Sequence, residues 1–387
     1  MTSGFQFDLF CRVVDNFGDA GVCWRLARQL AAEYPVQVRL WIDRLETLQK
    51  ISPALNAGKA EQLVSGVTVR HWPEVFPDTD TASIPDVVIE GFGCHLPDNY
   101  LLSMAHCHRQ PVWINMEYLS AESWVDNCHR MASPQSSLPL TRHFFFPGFT
   151  GATGGLFREA GLIEKRSCFQ ADDAGKQAFL QQLGVDNAAD DVLSLFCYED
   201  APVMDLFRML AEQKEKSVLC LVPEGVASAS VSRFLGCPAK AGEKQSEGAL
   251  TVQVIPIVSQ DAYDRLLWSC DLNFVRGEDS FLRAQWAARP FIWQIYPQDD
   301  EAHVVKLDAF LAYYFAEMPK SMAKTVGNAW RMWNGISINE ADTASAMREM
   351  IFRDLPTLTA YGAKWANKLA GEEDFAASLF RFVSSMR

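Results

Sequence analysis

The chain has 387 residues, 49 % of them hydrophobic and 21 % charged, with a formal net charge of −13. That length favours two domains over one, and the composition supplies apolar material for two cores. The acidic balance, with no Lys/Arg run, argues against a nucleic-acid partner, and no segment reaches the ~18 uninterrupted apolar residues of a membrane span.

MTSGFQFDLF lacks the basic-then-apolar order of a secretory signal. FQFDLFCRVV then reads as a strand and GDAGVCWRLARQLAAEY as a helix. VQVRLWI is a strand again, RLETLQKI is helical, and VTVRHW and PDVVIEGF are apolar strands. NYLLSMAHC is helical, PVWINM is a strand and HFFFPGF another. This β-α repetition predicts a parallel sheet covered on both faces. A glycine-rich stretch, PGFTGATGGLFREAG, and a polar segment to about Asp191 follow. No helix start stands at P-loop spacing behind the glycines, which favours an interdomain linker over a phosphate cradle. Alternation resumes with VLSLFCY (strand) and PVMDLFRMLAEQ (helix), then the strands SVLCLVP, LTVQVIPI, DLNFVRG and PFIWQIY. From Glu301 onward the pattern is helical and rich in Trp, Phe and Met.

The ten cysteines include no C-x-x-C pair, and many lie inside apolar runs. They read as buried reduced thiols of a cytoplasmic protein. His106-Cys107-His108 fits no zinc spacing, so no metal is expected.

Two successive β-α domains predict a cleft at the carboxyl ends of two sheets, where ligands bind. The strand-to-helix junctions are therefore where chemistry is expected. In VVDNFGDAG, the first such turn, Asp15 and Asp19 flank Gly18. Either acid alone reads as a helix cap. Two acids around one glycine at a sheet edge point to a second task for one of them. WINMEYLSAESW, with Glu117 and Tyr118, and VIEGFGCH are further edges of the same domain.

In the second domain, Arg276-Gly277-Glu278-Asp279-Ser280 stand between a strand and a helix from about Phe281. Ser280 or Asp279 suits an N-cap. The free N–H groups and dipole of that helix favour an anion, to which Arg276 adds a forked contact. A plain capped helix with a surface Arg–Glu pair is the alternative. IYPQDDEAH places Gln298 and Asp299 at a neighbouring edge, able to bond sugar hydroxyls or to cap a turn. Phe196 and Tyr198 end one strand and Gln260 opens a helix, positions suited to a nucleobase or to the core.

Taken in order, VVDNFGDAGVCWRLARQL, PDVVIEGFGC, LPDNYL, WINMEYLSAESW, RGEDSFLRAQWA, RPFIWQIYPQDDEAH and HVVKLDAF resemble the bacterial protein-arginine rhamnosyltransferases of elongation factor P, the EarP family. The resemblance covers nearly the whole chain. It is weakest in about 155–190, 225–250 and the C-terminal helices. It implies an α/β GT-B glycosyltransferase of two facing Rossmann-like domains. Residues 1–155 would form an acceptor-binding domain, completed by C-terminal helices of about 360–387. Residues 156–190 would be a linker, and 191–359 a nucleotide-sugar-binding domain.

The implied donor is dTDP-β-L-rhamnose and the implied acceptor an arginine of elongation factor P, with inversion at the sugar and no metal or cofactor. By resemblance Asp19 is the base, and Asp15 and Glu278 matter to activity. Arg276, Asp279 and Ser280 handle the diphosphate, and Phe196, Tyr198 and Gln260 the thymine. Asn16, Phe17, Gly18, Glu117 and Tyr118 belong to the acceptor side of the cleft, and Gln298 and Asp299 to the donor. Ile257 stands where some relatives carry an aromatic, which removes a second ring for the base. Two other readings are another GT-B nucleotide-sugar enzyme, an epimerase or small-acceptor transferase, and a non-catalytic module that binds the factor.

A guanidinium has a pKa above ~12 and is a poor nucleophile near neutrality. One carboxylate can take its proton as the new bond forms, while others hold its remaining N–H groups in a fork. That chemistry is a reason to place two acids at one turn.

Overall fold

The computed structural model describes residues 4–15, 17–186, 189–298, 301–336 and 345–387. The chain divides into two compact units, Met1–Ala160 with Gly371–Arg387, and Gly161–Ala370.

The first unit is built on an eight-stranded sheet. Its strands are β1 (Phe5–Cys11), β2 (Val36–Ile42), β3 (Glu61–Val64), β4 (Val67–His71), β5 (Val87–Gly91), β6 (Val112–Met116), β7 (Ala132–Pro134) and β8 (Thr141–Phe145). They lie in the order β3-β4-β2-β1-β5-β6-β8-β7. Only the outer pairs β3/β4 and β7/β8 are antiparallel. Strands β5 and β6 are buried at every residue, which is why they read as apolar runs rather than as alternation. Helices α1 (Gly18–Glu33), α2 (Leu45–Ile51), α3 (Asp98–His106) and α4 (Trp124–Cys128) connect them. β1 pairs with β2 on one side and β5 on the other, so the strand order reverses between β1 and β5. A ligand crevice opens at such a reversal, beyond the carboxyl ends of the strands.

A final helix, Phe375–Ser385, completes this unit. Asp374 caps it through Ala377 N (3.1 Å) and accepts from Gln29 Nε2 of α1 (3.0 Å). Phe157 and Phe375 pack with ring centroids 4.3 Å apart. Gly155, at φ +78°, lets the Glu373 carbonyl sit 2.1 Å from where a Cβ would stand. The returning segment is thus 371–387, shorter than the expected 360–387.

The second unit carries β9 (Asp191–Leu195), β10 (Val218–Pro223), β11 (Lys244–Glu247), β12 (Leu250–Ile255), β13 (Leu272–Arg276) and β14 (Phe291–Gln294). Their order is β11-β12-β10-β9-β13-β14. β11 is antiparallel and exposed throughout, a polar edge. Here the order reverses between β9 and β13. The segment 156–190, expected as a linker, instead supplies α5 (Leu162–Ala171) and α6 (Asp173–Gln182). Phe179 and Leu180 of α6 sit in one core with Val192, Leu219 and Leu266. The polar composition of that stretch reflects the exposed faces of two short helices.

The remaining helices of this unit include α7 (Val203–Glu212), α8 (Ser228–Leu235), α9 (Gln260–Ser269), α10 (Asp279–Ala287), α11 (Ala302–Tyr314) and α12 (Lys320–Trp333). An aromatic cluster packs the last part of the chain against β14: Phe281 stacks on Trp293 at 3.9 Å, and Phe310 on Trp330 at 5.8 Å. Trp365 Nε1 donates to Gln285 Oε1 at 2.6 Å.

One buried charge organises the middle of β1. Asp8 is fully buried, and it accepts from Arg39 Nη2 (2.9 Å), Trp41 Nε1 (3.2 Å) and Tyr100 Oη (2.6 Å). Burial, together with the Asp8 charge, pushes the Tyr100 phenol well up, so it remains a donor. Asp8→Ala leaves the buried Tyr100 hydroxyl and the half-buried Arg39 and Trp41 donors without their shared acceptor and is expected to cost the first unit about 1–3 kcal/mol. The check is the shift of its urea-unfolding midpoint. A loss below about 1 kcal/mol would mean the pair is screened as on a surface.

Candidate functional site

The loop between β1 and α1 is held by carboxylates. Val13 N donates to Asp43 Oδ1 at 2.9 Å. Val14 N and Asp15 N both donate to Asp19 Oδ2, at 2.8 and 2.9 Å. Gly18 N closes the turn on Asp15 O at 2.6 Å. Three consecutive N–H groups of the loop thus end on acids. Asp19 is only 2 % exposed, in the first turn of α1, where the helix dipole favours a negative charge. Its other oxygen, Oδ1, accepts from Tyr118 Oη at 3.3 Å.

Capping, one reading of the two acids, is not the role of Asp19. Phe17 occupies the N-cap position, with no side-chain cap bond. Asp19 reaches back to the loop rather than forward to the helix. Asp15, half-buried, lies over Gly18: a Cβ on Gly18 would stand 2.8 Å from Asp15 Oδ2. A larger residue at position 18 would push that carboxylate aside, and Gly18 does not sit at a positive φ.

The ends of β5 and β6 frame this loop. Asn115, buried, accepts from Gly93 N at 3.1 Å and donates to Glu117 Oε1 at 2.5 Å. Phe92 sits at φ +56°, a left-handed conformation that costs a non-glycine residue about 1–2 kcal/mol. Its N–H is anchored on Met116 O at 2.7 Å, and its ring stacks on Tyr118 at 4.4 Å with planes 16° apart. Asp15, Gly18, Asp19 and Tyr118 are thus brought together, with Glu117 next to Tyr118 in the chain. Asn16 lies outside the described residues.

In the second unit the reversal between β9 and β13 gathers the residues expected to hold the donor. The Arg276 guanidinium carbon lies 4.6 Å from the ring centroids of both Phe196 and Tyr198, and Nη1 donates to Cys197 O at 2.9 Å. Ser280 Oγ accepts from Arg276 N (3.0 Å) and donates to Arg276 O (2.5 Å), so it clamps the main chain of Arg276. Neither Ser280 nor Asp279 is the N-cap. Glu278 holds that position, with no side-chain cap bond, and α10 begins at Asp279.

Gln260 Nε2 donates to Asp279 Oδ2 at 3.3 Å. The starts of α9 and α10 are locked in step by Arg283, whose Nε and Nη2 grip Asp264 at 2.8 and 2.6 Å, both residues buried. Gln298 is exposed, its main chain bonded to His303 Nδ1, and Asp299 lies outside the described residues. Ile257 is 42 % exposed.

Four contributors were missed by sequence reasoning. Asp43 and Asn115 sit at or near strand ends, a position that itself was the available signal. Phe92 carries its signal only in the backbone. Gln294, 3 % exposed, accepts from Tyr198 N at 2.7 Å and donates to Asp200 Oδ1 at 3.0 Å, steering the loop that carries Tyr198. Among the described residues, no group of three or more His, Cys, Asp and Glu is arranged to hold a metal ion, and no helix is long and apolar enough to cross a membrane.

The family model described as elongation factor P (EF-P) rhamnosyltransferase EarP matches residues 7–384. The chain is 46 % identical to the protein-arginine rhamnosyltransferase of Pseudomonas putida over 378 residues, 97 % of this chain and 98 % of that one. It is similar, at TM-score 0.69 and 34 % identity over 98 % of this chain and 99 % of that one, to the solved structure described as the structural basis for EarP-mediated arginine glycosylation of translation elongation factor EF-P. An α-glucosyltransferase solved with UDP and DNA matches at TM-score 0.51 and 8 % identity over 98 % of this chain and 100 % of that one, a likeness of fold alone. The fold class is GT-B.

Ser280→Ala would strip the Arg276 main chain of both hydroxyl bonds in a buried place. The expected loss is about 1–3 kcal/mol of second-unit stability, read by chemical denaturation. No measurable loss would mean that water or a neighbour takes over both groups.

Proposed function

The chain belongs to the EarP family of elongation factor P rhamnosyltransferases, and from that premise we propose that it moves L-rhamnose from dTDP-β-L-rhamnose to an arginine side chain of elongation factor P, with inversion at the anomeric carbon. It is a glycosyltransferase. The observation that carries the finer reading is the charge at the two strand-order reversals. The first unit presents the carboxylates Asp15 and Asp19, suited to a cationic acceptor. The second presents Arg276 beside a helix start with no side-chain cap, suited to a diphosphate.

In this reading one guanidinium nitrogen attacks the anomeric carbon as the bond from that carbon to the diphosphate oxygen breaks. The bonding pair leaves on thymidine diphosphate. The proton given up by the nitrogen passes to Asp19 Oδ1, the oxygen not engaged by the loop N–H groups. Transfer is late, because no carboxylate strips a group whose pKa exceeds ~12 beforehand. Asp15 and Glu278 are the acids proposed to fork the remaining N–H groups, which orients the reacting nitrogen. Charge building on the leaving group is met by Arg276 and the dipole of α10, with no metal in the step. Phe196, Tyr198 and Gln260 are the proposed thymine contacts. Elongation factor P serves translation, so the reaction belongs in the cytoplasm.

The test is the intact mass of elongation factor P after incubation with the protein and dTDP-β-L-rhamnose. A gain of one deoxyhexose that disappears when the acceptor arginine is replaced by lysine is expected. No gain, with thymidine diphosphate still bound, would overturn the acceptor assignment. For the donor side, Arg276→Ala is expected to weaken thymidine diphosphate binding roughly tenfold by calorimetry, the worth of a charge-assisted contact. Unchanged affinity would remove Arg276 from the diphosphate.

A further inference from the structure

We infer that the stacked pair Phe92–Tyr118 is a platform for the acceptor's guanidinium, and that the Tyr118 hydroxyl keeps Asp19 Oδ1 turned toward it. The inference rests on the proposed reading of Asp19 as the base. Three observations carry it. The two rings are stacked nearly parallel, with centroids 4.4 Å apart, so Phe92 backs one face of the Tyr118 ring, and Tyr118 keeps 39 % of its surface exposed. The Tyr118 hydroxyl sits 3.3 Å from Asp19 Oδ1, which ties that ring directly to the carboxylate. Phe92 holds its ring there from a left-handed backbone, anchored through its N–H on Met116 O, a conformation that only surrounding structure maintains.

A delocalised planar cation is the group that such a combination recognises. Its face lies on an aromatic ring while its in-plane N–H groups point at carboxylates. An ammonium can be attracted to the ring but offers neither a plane to stack nor a fork. The same geometry sets the alignment for proton transfer. Two loop N–H groups fix Oδ2 and the Tyr118 hydroxyl fixes the rotation of the carboxylate, so Oδ1 is presented at the edge of the ring. Tyr118 therefore touches the substrate through its ring and positions Asp19 through its oxygen.

The two roles separate in two variants, assayed for rhamnosyl transfer with elongation factor P varied at saturating donor. Tyr118→Leu removes the ring and is expected to raise the acceptor KM roughly tenfold, with the donor KM, measured with donor varied, unchanged. Tyr118→Phe keeps the ring and is expected to leave the acceptor KM within about twofold. It removes the hydrogen bond that fixes the rotation of the carboxylate, so kcat is expected to fall roughly tenfold at that unchanged acceptor KM. An unchanged acceptor KM in Tyr118→Leu, with the unaltered protein active, would overturn the platform. An unchanged kcat in Tyr118→Phe would overturn the positioning of Asp19. If the unaltered protein transfers no sugar to the factor, the proposed function fails first, visibly and separately, and the platform falls with it.

Discussion

The loop between β1 and α1 depends on one buried carboxylate that does not cap its own helix. Asp19 turns back and collects the N–H groups of Val14 and Asp15, while Asp43 takes that of Val13. A loop leaving a parallel strand at a strand-order reversal carries backbone donors with no ladder partner. Satisfying them with acids rather than with water makes the loop rigid and negatively charged at once. The same bonds that fix the backbone leave one oxygen of Asp19 for another partner.

The second unit solves the opposite problem with the same architecture. Its reversal between β9 and β13 presents a guanidinium and the start of α10 instead of carboxylates. Arg276 is held by its own main chain through Ser280 and by the Cys197 carbonyl, and its charge rests against two aromatic rings. The buried Arg283–Asp264 pair keeps the starts of α9 and α10 aligned, and with them Gln260 and Asp279. The proposed sugar-diphosphate donor and guanidinium acceptor carry opposite charges, and the proposal rests on the complementary charges at the two reversals.

Both sheets were legible in the sequence because strands buried on both faces leave apolar runs, as in VVI and VLCLV, and because helices intervene between them. The two motif-bearing turns were legible because acids, glycine and arginine cluster where an apolar run stops. The helices at 162–182 were not, since short helices with one apolar face resemble a polar linker when read residue by residue. The direction of Asp19 was also hidden: an acid in a first turn reads as a cap, and only the path of the preceding loop shows otherwise. Asn115 and Phe92 escaped for a related reason. One acts through two tertiary hydrogen bonds and the other through a backbone angle, and neither leaves a mark on residue type or spacing.

The central claim is that Asp19 Oδ1 receives the proton of the reacting guanidinium. The most direct measurement is the single-turnover rate of Asp19→Asn, with donor and elongation factor P saturating and thymidine diphosphate affinity measured on the same sample. The amide keeps an oxygen for the loop N–H groups but takes no proton, so a loss of roughly 100-fold or more at unchanged nucleotide affinity is predicted. Turnover near that of the unaltered protein would contradict the assignment and leave Asp19 as the brace of its loop.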